Sequence, residues 1–251
     1  MNERGNKWRK VISPSTSKKL TLFCFPYAGG SGHIFYNWHH FCTTDLEIQS
    51  IQLPGRGIRI SELPINNIEE LIKDLYAGID FDWSQPYAFF GHSMGALISY
   101  ELAAFLYEQE KELPQGLFLS ARVPPHLTDR GKHVHLLSEQ EFIQELRRLD
   151  GTPEEVLHNE ELLQLMLPTI RADFAICETY QYTKRNPLPI PITVFGGKGD
   201  MEVSPNQLTE WKQYTSKNFQ QFTYDGGHFF LHQHKGDIVQ TIEKQLSNHR
   251  K

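Results

Sequence analysis

The fold turns on Tyr87-Ala88-Phe89-Phe90-Gly91-His92-Ser93-Met94-Gly95 and the helix-forming run at 96–107. An apolar, strand-like run ends at one glycine, and a helical run begins just past the next. Ser93 sits between them, with glycine two residues before and two after. This Gly-x-Ser-x-Gly spacing is that of a nucleophile elbow. There a tight strand-to-helix turn strains the serine backbone and lifts its hydroxyl above a sheet. The five-residue string alone is common; its place between a strand and a helix carries the reading.

Working outward, Leu20-Thr21-Leu22-Phe23-Cys24-Phe25 reads as a buried strand, stopped by Pro26 and a glycine-rich loop. A short helix is expected at 33–41, and a second strand at 46–53, closed by Pro54-Gly55. Ile68, Leu71, Ile72, Leu75 and Ile79 recur at spacings of three and four, which predicts an amphipathic helix over 67–79. Another strand is expected at 116–120. Strand–helix alternation of this kind predicts an α/β fold, with a mostly parallel central sheet and helices on both faces. With the elbow, it predicts the α/β-hydrolase fold.

The alternation breaks over about 122–185, where only helical signals occur. Ser138-Glu139-Gln140-Glu141 is a capping box, and Thr152-Pro153-Glu154-Glu155 repeats the signal. A longer helix is expected over 162–180, kinked or broken at Pro168. Strands resume at 192–195 and 219–224, and a helix closes the pattern over 235–246. The expected organisation is a flexible leader over 1–18 and a single domain over 19–251, carrying a helical insertion at about 122–185.

The 251 residues are 39% apolar and 22% charged, enough for a substantial core. A formal net charge of −5 gives no global attraction to nucleic acid or anionic lipid. Cys24, Cys42 and Cys177 fit no metal or redox spacing. No apolar run approaches a membrane span, and no signal-peptide core is present. The expectation is a cytoplasmic protein, monomeric, with no nucleic-acid or membrane partner, no metal and no cofactor.

A serine hydroxyl needs a base, and in this fold the chain order is serine, acid, histidine. Several histidines follow Ser93. His126, His133, His135 and His158 fall in the insertion, His232 and His234 in the last apolar segment, and His249 in the tail. His228, in Asp225-Gly226-Gly227-His228-Phe229, sits on a glycine loop just past the last strand, from which it can reach over the sheet. Asp200, in Phe195-Gly196-Gly197-Lys198-Gly199-Asp200, follows the preceding strand and is the expected acid. Asp225 is its rival, but it is only three residues from His228. One strand earlier the chain reads Ser120-Ala121-Arg122, without a carboxylate. A tetrahedral oxyanion needs two backbone N–H donors. Met94, after the nucleophile, supplies one. The other is expected from the loop Phe25-Pro26-Tyr27-Ala28-Gly29-Gly30, which lacks the His-Gly-Gly-Gly of many lipases.

Together these segments and Leu53-Pro54-Gly55-Arg56-Gly57 resemble the type II thioesterases that accompany nonribosomal peptide and polyketide synthases. The resemblance covers nearly the whole chain from Leu20. It implies hydrolysis of acyl thioesters on the phosphopantetheine arms of acyl or peptidyl carrier domains, as housekeeping removal of misprimed or stalled groups. It maps the second oxyanion donor onto Ala28 N–H and makes the insertion a lid over the acyl channel. Phosphopantetheine would belong to the carrier. Arg56 has no derivable mechanism; a loop-stabilising ion pair accounts for it at least as well as a substrate role. A general carboxylesterase or lipase would use the same triad, and a non-enzymatic carrier-binding scaffold would need none of it.

Overall fold

The computed structural model describes residues 6–12, 20–43, 45–128, 131, 133–149, 151–152 and 154–248. Seven strands form one sheet: β1 (Arg9–Val11), β2 (Leu20–Phe25), β3 (Leu46–Ile51), β4 (Tyr87–His92), β5 (Leu117–Ser120), β6 (Ile192–Gly197) and β7 (Phe219–Tyr224). Their order is β1-β3-β2-β4-β5-β6-β7. Every pairing is parallel except β1 with β3. The helices are α1 (Ile68–Gly78), α2 (Met94–Glu108), α3 (Glu139–Leu149), α4 (Glu154–His158), α5 (Glu160–Thr179), α6 (Pro205–Thr209) and α7 (Lys235–Asn248).

Strands β2 to β6 are buried along their whole length, as expected where helices cover both faces of a parallel sheet. Their side chains alternate between two cores. Phe23, Phe25, Phe89, Leu117, Leu119 and Val194 face one core, with α1 and α2. Leu22, Cys24, Phe90, Phe118 and Phe195 face the other, with Trp38 and with Ile238, Val239 and Ile242 of α7. Asn67 caps α1 by accepting from Glu70 N–H (3.0 Å). Helix α2 is buried on nearly every side, so it carries apolar residues all round rather than on one stripe.

The leader expected over 1–18 is corrected in part. Residues 9–11 form edge strand β1, and Trp8 is buried beneath the Arg59 guanidinium, 3.9 Å from the ring. Gln52 N–H donates to Trp8 O (2.8 Å). Three residues are too few to show a strand period, so the pairing partner, not the pattern, makes this strand. Residues 1–5 and 13–18 lie outside those described. The helix expected at 33–41 is two 3-10 turns, Gly32–Phe35 and Trp38–Phe41.

Among the described residues, the chain between β5 and β6 forms helices and no named strand. The capping box at Ser138 is present: Glu141 N–H donates to Ser138 Oγ (3.4 Å) and Ser138 N–H to Glu141 Oε2 (3.1 Å). Pro153, at the second predicted start, is outside the described residues. Helix α5 is not broken at Pro168; it runs unbroken through it, because the buried residues beside it, Leu167, Thr169 and Ile170, pack well enough to offset one missing backbone bond. The insertion has its own apolar cluster, in which Phe142, Leu146, Leu163, Leu167 and Ile170 bury against one another.

Helix α5 is tied to the body in a way that α3 is not. Thr169 Oγ1 donates to Gly55 O (2.7 Å), and Asp173 pairs with Arg56 through two bonds of 2.6 Å. Local opening should therefore divide the insertion. Amide exchange in α3 is expected to be at least about tenfold faster than in β4, with α5 around Thr169 and Asp173 close to the sheet. Hydrogen exchange followed by mass spectrometry checks this; equal exchange in α3 and β4 would show that the whole insertion is a fixed wall.

Candidate active site

Because β2 to β7 run parallel, the loops that follow them open on one edge of the sheet. Ser93 stands at the β4–α2 junction with φ 53° and ψ −113°, a conformation costly for any residue with a side chain. Its N–H donates to Ser120 O on β5 (2.8 Å), which anchors the turn. The flanking glycines are there for space. A Cβ on Gly91 would collide with the Gly95 backbone, and a Cβ on Gly95 with the Phe25 backbone. Strand, helix and the neighbouring strand can meet this closely only without those side chains.

His228 follows β7 on a loop whose Gly226 has φ 118°. A side chain on Gly197, at the end of β6, would strike the carbonyls of Gly226 and Gly227. Gly199 N–H donates to Gly226 O (2.9 Å) and Lys198 N–H to Tyr224 O (2.8 Å). The two loops are thus laced together, and that lacing brings the predicted acid to the predicted base. His228 Nδ1 lies 2.9 Å from Asp200 Oδ2. A carboxylate only accepts, so Nδ1 carries the proton and Nε2 is left to act as a base. Oδ1 of Asp200 accepts from the N–H groups of Glu202 (2.8 Å) and Val203 (3.1 Å). Its side chain has no exposed surface, and that of His228 is 17% exposed.

Asp225 is elsewhere. Its carboxylate is 84% exposed and pairs with Lys198 at 2.8 Å, which lowers its pKa. Four of the other candidate histidines have partners of their own. His126 meets the Tyr214 hydroxyl (2.9 Å), His135 meets Glu178 (2.5 Å), His232 meets the Tyr27 hydroxyl (3.1 Å), and His234 meets Asp225 O (2.9 Å). His249 lies outside the described residues.

Ser93, His228 and Ala28 line one cavity of about 370 Å³, a size suited to a small-molecule substrate. The insertion supplies much of its wall through Val134, Leu146, Leu149, Ile170 and Phe174. The Ser93 hydroxyl has no hydrogen-bond partner among the described residues. Ala28 N–H and Met94 N–H likewise have no acceptor among them. The loop after β2 and the first turn of α2 thus both have uncommitted donors among the described residues, as an oxyanion site requires.

Two features escaped the sequence reading. His92, inside the elbow, is fully buried; its Nδ1 lies 2.9 Å from Ser120 Oγ, and its ring centre 5.4 Å from that of His228. Burial pushes its pKa well below the usual histidine value, and the nearby His228 and His232 push it further. Burial thus favours its neutral form. The second is Asp173, a side chain 1% exposed that pairs with Arg56 and also accepts from Gly29 N–H (2.7 Å). The available signal was a carboxylate set among Ile170, Ala172, Phe174 and Ile176 in a helix. Arg56 is thus in the ion pair its sequence reading allowed.

Comparison with known proteins agrees with this architecture. A sequence model of the thioesterase domain family matches residues 20–246. The chain is 43% identical over 241 residues to the gramicidin S biosynthesis protein GrsT of Aneurinibacillus migulanus, covering 96% of this chain and 94% of that protein. It is 34% identical to the thioesterase PikA5 of Streptomyces venezuelae, covering 98% and 88%. The solved structure of the type II thioesterase BorB, from the borrelidin biosynthetic cluster, superposes with a TM-score of 0.88 at 36% identity, covering 98% of this chain and 100% of that one.

The geometry ranks the two acids. Asp200→Asn is expected to lower kcat/KM by about 10²- to 10⁴-fold by favouring the wrong histidine tautomer. Asp225→Asn, at an exposed ion pair, is expected to stay within about threefold of the parent. Steady-state kinetics on folded variants decides; the reverse ranking would move the acid to Asp225.

Proposed function

The chain belongs to the thioesterase family, and on that premise we propose that Ser93, His228 and Asp200 hydrolyse acyl thioesters carried on phosphopantetheine arms. The observation that carries the site assignment is the convergence of three separate segments on one cavity, with Asp200 already bonded to the far nitrogen of His228.

In the first half-reaction, Nε2 of His228 removes the Ser93 proton as Oγ attacks the thioester carbonyl. Charge moves to the carbonyl oxygen, where the N–H groups of Ala28 and Met94 receive it. The tetrahedral intermediate collapses, the carbon–sulfur bond breaks, and the leaving thiol takes the proton from His228. Water then repeats the cycle on the acyl-serine, with His228 as base and then as acid, and releases the carboxylic acid. Asp200 stays ionised and stabilises the imidazolium in both halves. Proton transfers and charge are accounted for by these side chains and amides, so we assign no cofactor.

The expected partners are acyl or peptidyl carrier domains of a nonribosomal peptide or polyketide synthase. GrsT is named for gramicidin S biosynthesis and PikA5 as a thioesterase, which supports the reading. The role is the release of misprimed or stalled groups. The cavity wall mixes apolar side chains such as Leu146, Ile170 and Phe174 with charged ones such as Arg122 and Glu178, and so offers room for acyl groups of differing polarity. No helix among the described residues is long and apolar enough to cross a membrane. Three free cysteines suit a reducing cytoplasm, and a cavity built within one chain suits a monomer.

Two measurements test the proposal. Ser93→Ala is expected to abolish fluorophosphonate labelling and to lower turnover by several orders of magnitude in a chain that still folds. The parent chain is expected to cleave an acyl-carrier thioester far faster than a matched oxygen ester. Near-full turnover by the alanine variant would remove the triad, and a preference for the oxygen ester would make the chain a general esterase.

A further inference from the structure

The turn that presents Ala28 has a defined shape. Gly30 N–H donates to Tyr27 O (2.9 Å), closing a four-residue turn over 27–30. Its third residue, Gly29, has φ 74°, the signature of a type II turn. Such a turn has an alternative: the peptide between its second and third residues can rotate, exchanging the positions of the Ala28 carbonyl and the Gly29 N–H. Rotation changes ψ of Ala28 and φ of Gly29; the Ala28 N–H lies on the preceding peptide and is held in place through the turn that carries it.

Asp173 opposes that rotation. Its Oδ2 accepts from Gly29 N–H at 2.7 Å and from Arg56 Nη1 at 2.6 Å, while Oδ1 accepts from Arg56 Nη2 at 2.6 Å. A rotated peptide would aim the Ala28 carbonyl at this carboxylate, acceptor against acceptor. Arg56 closes the bracket from the other side by donating to Gly30 O (3.1 Å) and Pro54 O (3.4 Å). The pair is almost fully buried, with side-chain exposures of 10% and 1%. Ile170, one turn earlier on α5, sits where a Gly29 side chain would begin, 3.3 Å from that point. A buried ion pair is by itself weak ground for a stabilising role. This one contacts the peptide next to the uncommitted Ala28 N–H.

We propose that Asp173 is a positioning residue for the reaction: with Arg56 it locks the 27–30 turn so that Ala28 N–H faces the developing oxyanion. The helix over the cavity is then part of the catalytic geometry as well as its wall. The inference rests on the oxyanion assignment proposed above.

The test uses the purified full chain, butyryl-pantetheine as substrate, and two inhibitors. An alkyl trifluoromethyl ketone forms a tetrahedral adduct on the serine and needs the oxyanion site. The thioether analogue of butyryl-pantetheine occupies the cavity without forming one. The double variant R56M/D173L removes both charges together and leaves an apolar pair. Expected for it are a melting temperature near that of the parent, a 10- to 100-fold fall in kcat (on the order of a displaced donor), and a parallel loss of ketone affinity. Thioether affinity should stay within about twofold, because ground-state binding makes no demand on the oxyanion donors. R56M/D173N, which restores an acceptor for Gly29 N–H, should recover most of the loss. If R56M/D173L does not fold, Asp173→Glu takes its place; it keeps the charge but sets the carboxylate one methylene away, with the same parallel loss expected. Wild-type kcat in the double variant, equal loss of both inhibitors, or no recovery in R56M/D173N would overturn the proposal. Ser93→Ala, assayed alongside, separates this from failure of the triad itself: its retained turnover would remove the parent reading whatever the turn variants do.

Discussion

The backbone of Ser93 is held where a side chain does not belong. A positive φ with ψ near −113° costs on the order of 1–3 kcal/mol. It persists because what lies on either side cannot yield. Strand β4 is buried on both faces, and α2 is buried nearly all round. Gly91 and Gly95 let their backbones approach more closely than any Cβ would allow. The rest of the molecule depends on this junction. It sets where the serine stands, and the loops after β2, β6 and β7 converge on that point because the parallel sheet delivers their ends to the same edge.

Convergence alone does not make a site; the loops must also be fixed. Two devices do this here, and they differ in kind. Between β6 and β7 the fixing is backbone to backbone, through bonds from Lys198 and Gly199 that a glycine-rich sequence permits. Asp200 and His228 are then placed by main-chain geometry. Around the 27–30 turn the fixing is ionic, through Arg56 and Asp173. Such a pair demands good geometry. With both partners present the desolvation cost is offset; with one removed, a buried charge is left alone at a cost of about 3–5 kcal/mol. It therefore holds a loop to one arrangement.

That second device changes the view of the insertion. A stretch of helices interrupting a sheet reads as a cover that opens and closes. In the structure its long helix α5 is bound to two loops at the site, through Thr169 and Asp173. Helix α3, by contrast, packs within the insertion's own cluster around Phe142 and Leu146. One segment of chain thus both walls the cavity and holds the loops beside it.

The class of fold and the family were legible in the sequence alone, and so were the candidate site residues. Apolar runs alternating with amphipathic helices require a parallel sheet. A serine between glycines at a strand-to-helix junction, with Asp200 and His228 on later glycine loops, requires little else to be recognised. These features are local, or follow chain order, so periodicity and spacing carry them. Tertiary structure decided what depends on partners far apart in the chain. Residues 9–11 become a strand only because β3 offers an edge. Pro168 lies within a continuous helix because packing offsets its missing bond. Chain order favoured Asp200 over Asp225, but their difference in exposure, none against 84%, is a property of the fold. Arg56 and Asp173 are 117 residues apart. No pattern of either segment alone could pair them, because a charge is buried at acceptable cost only where the fold has brought its counter-charge.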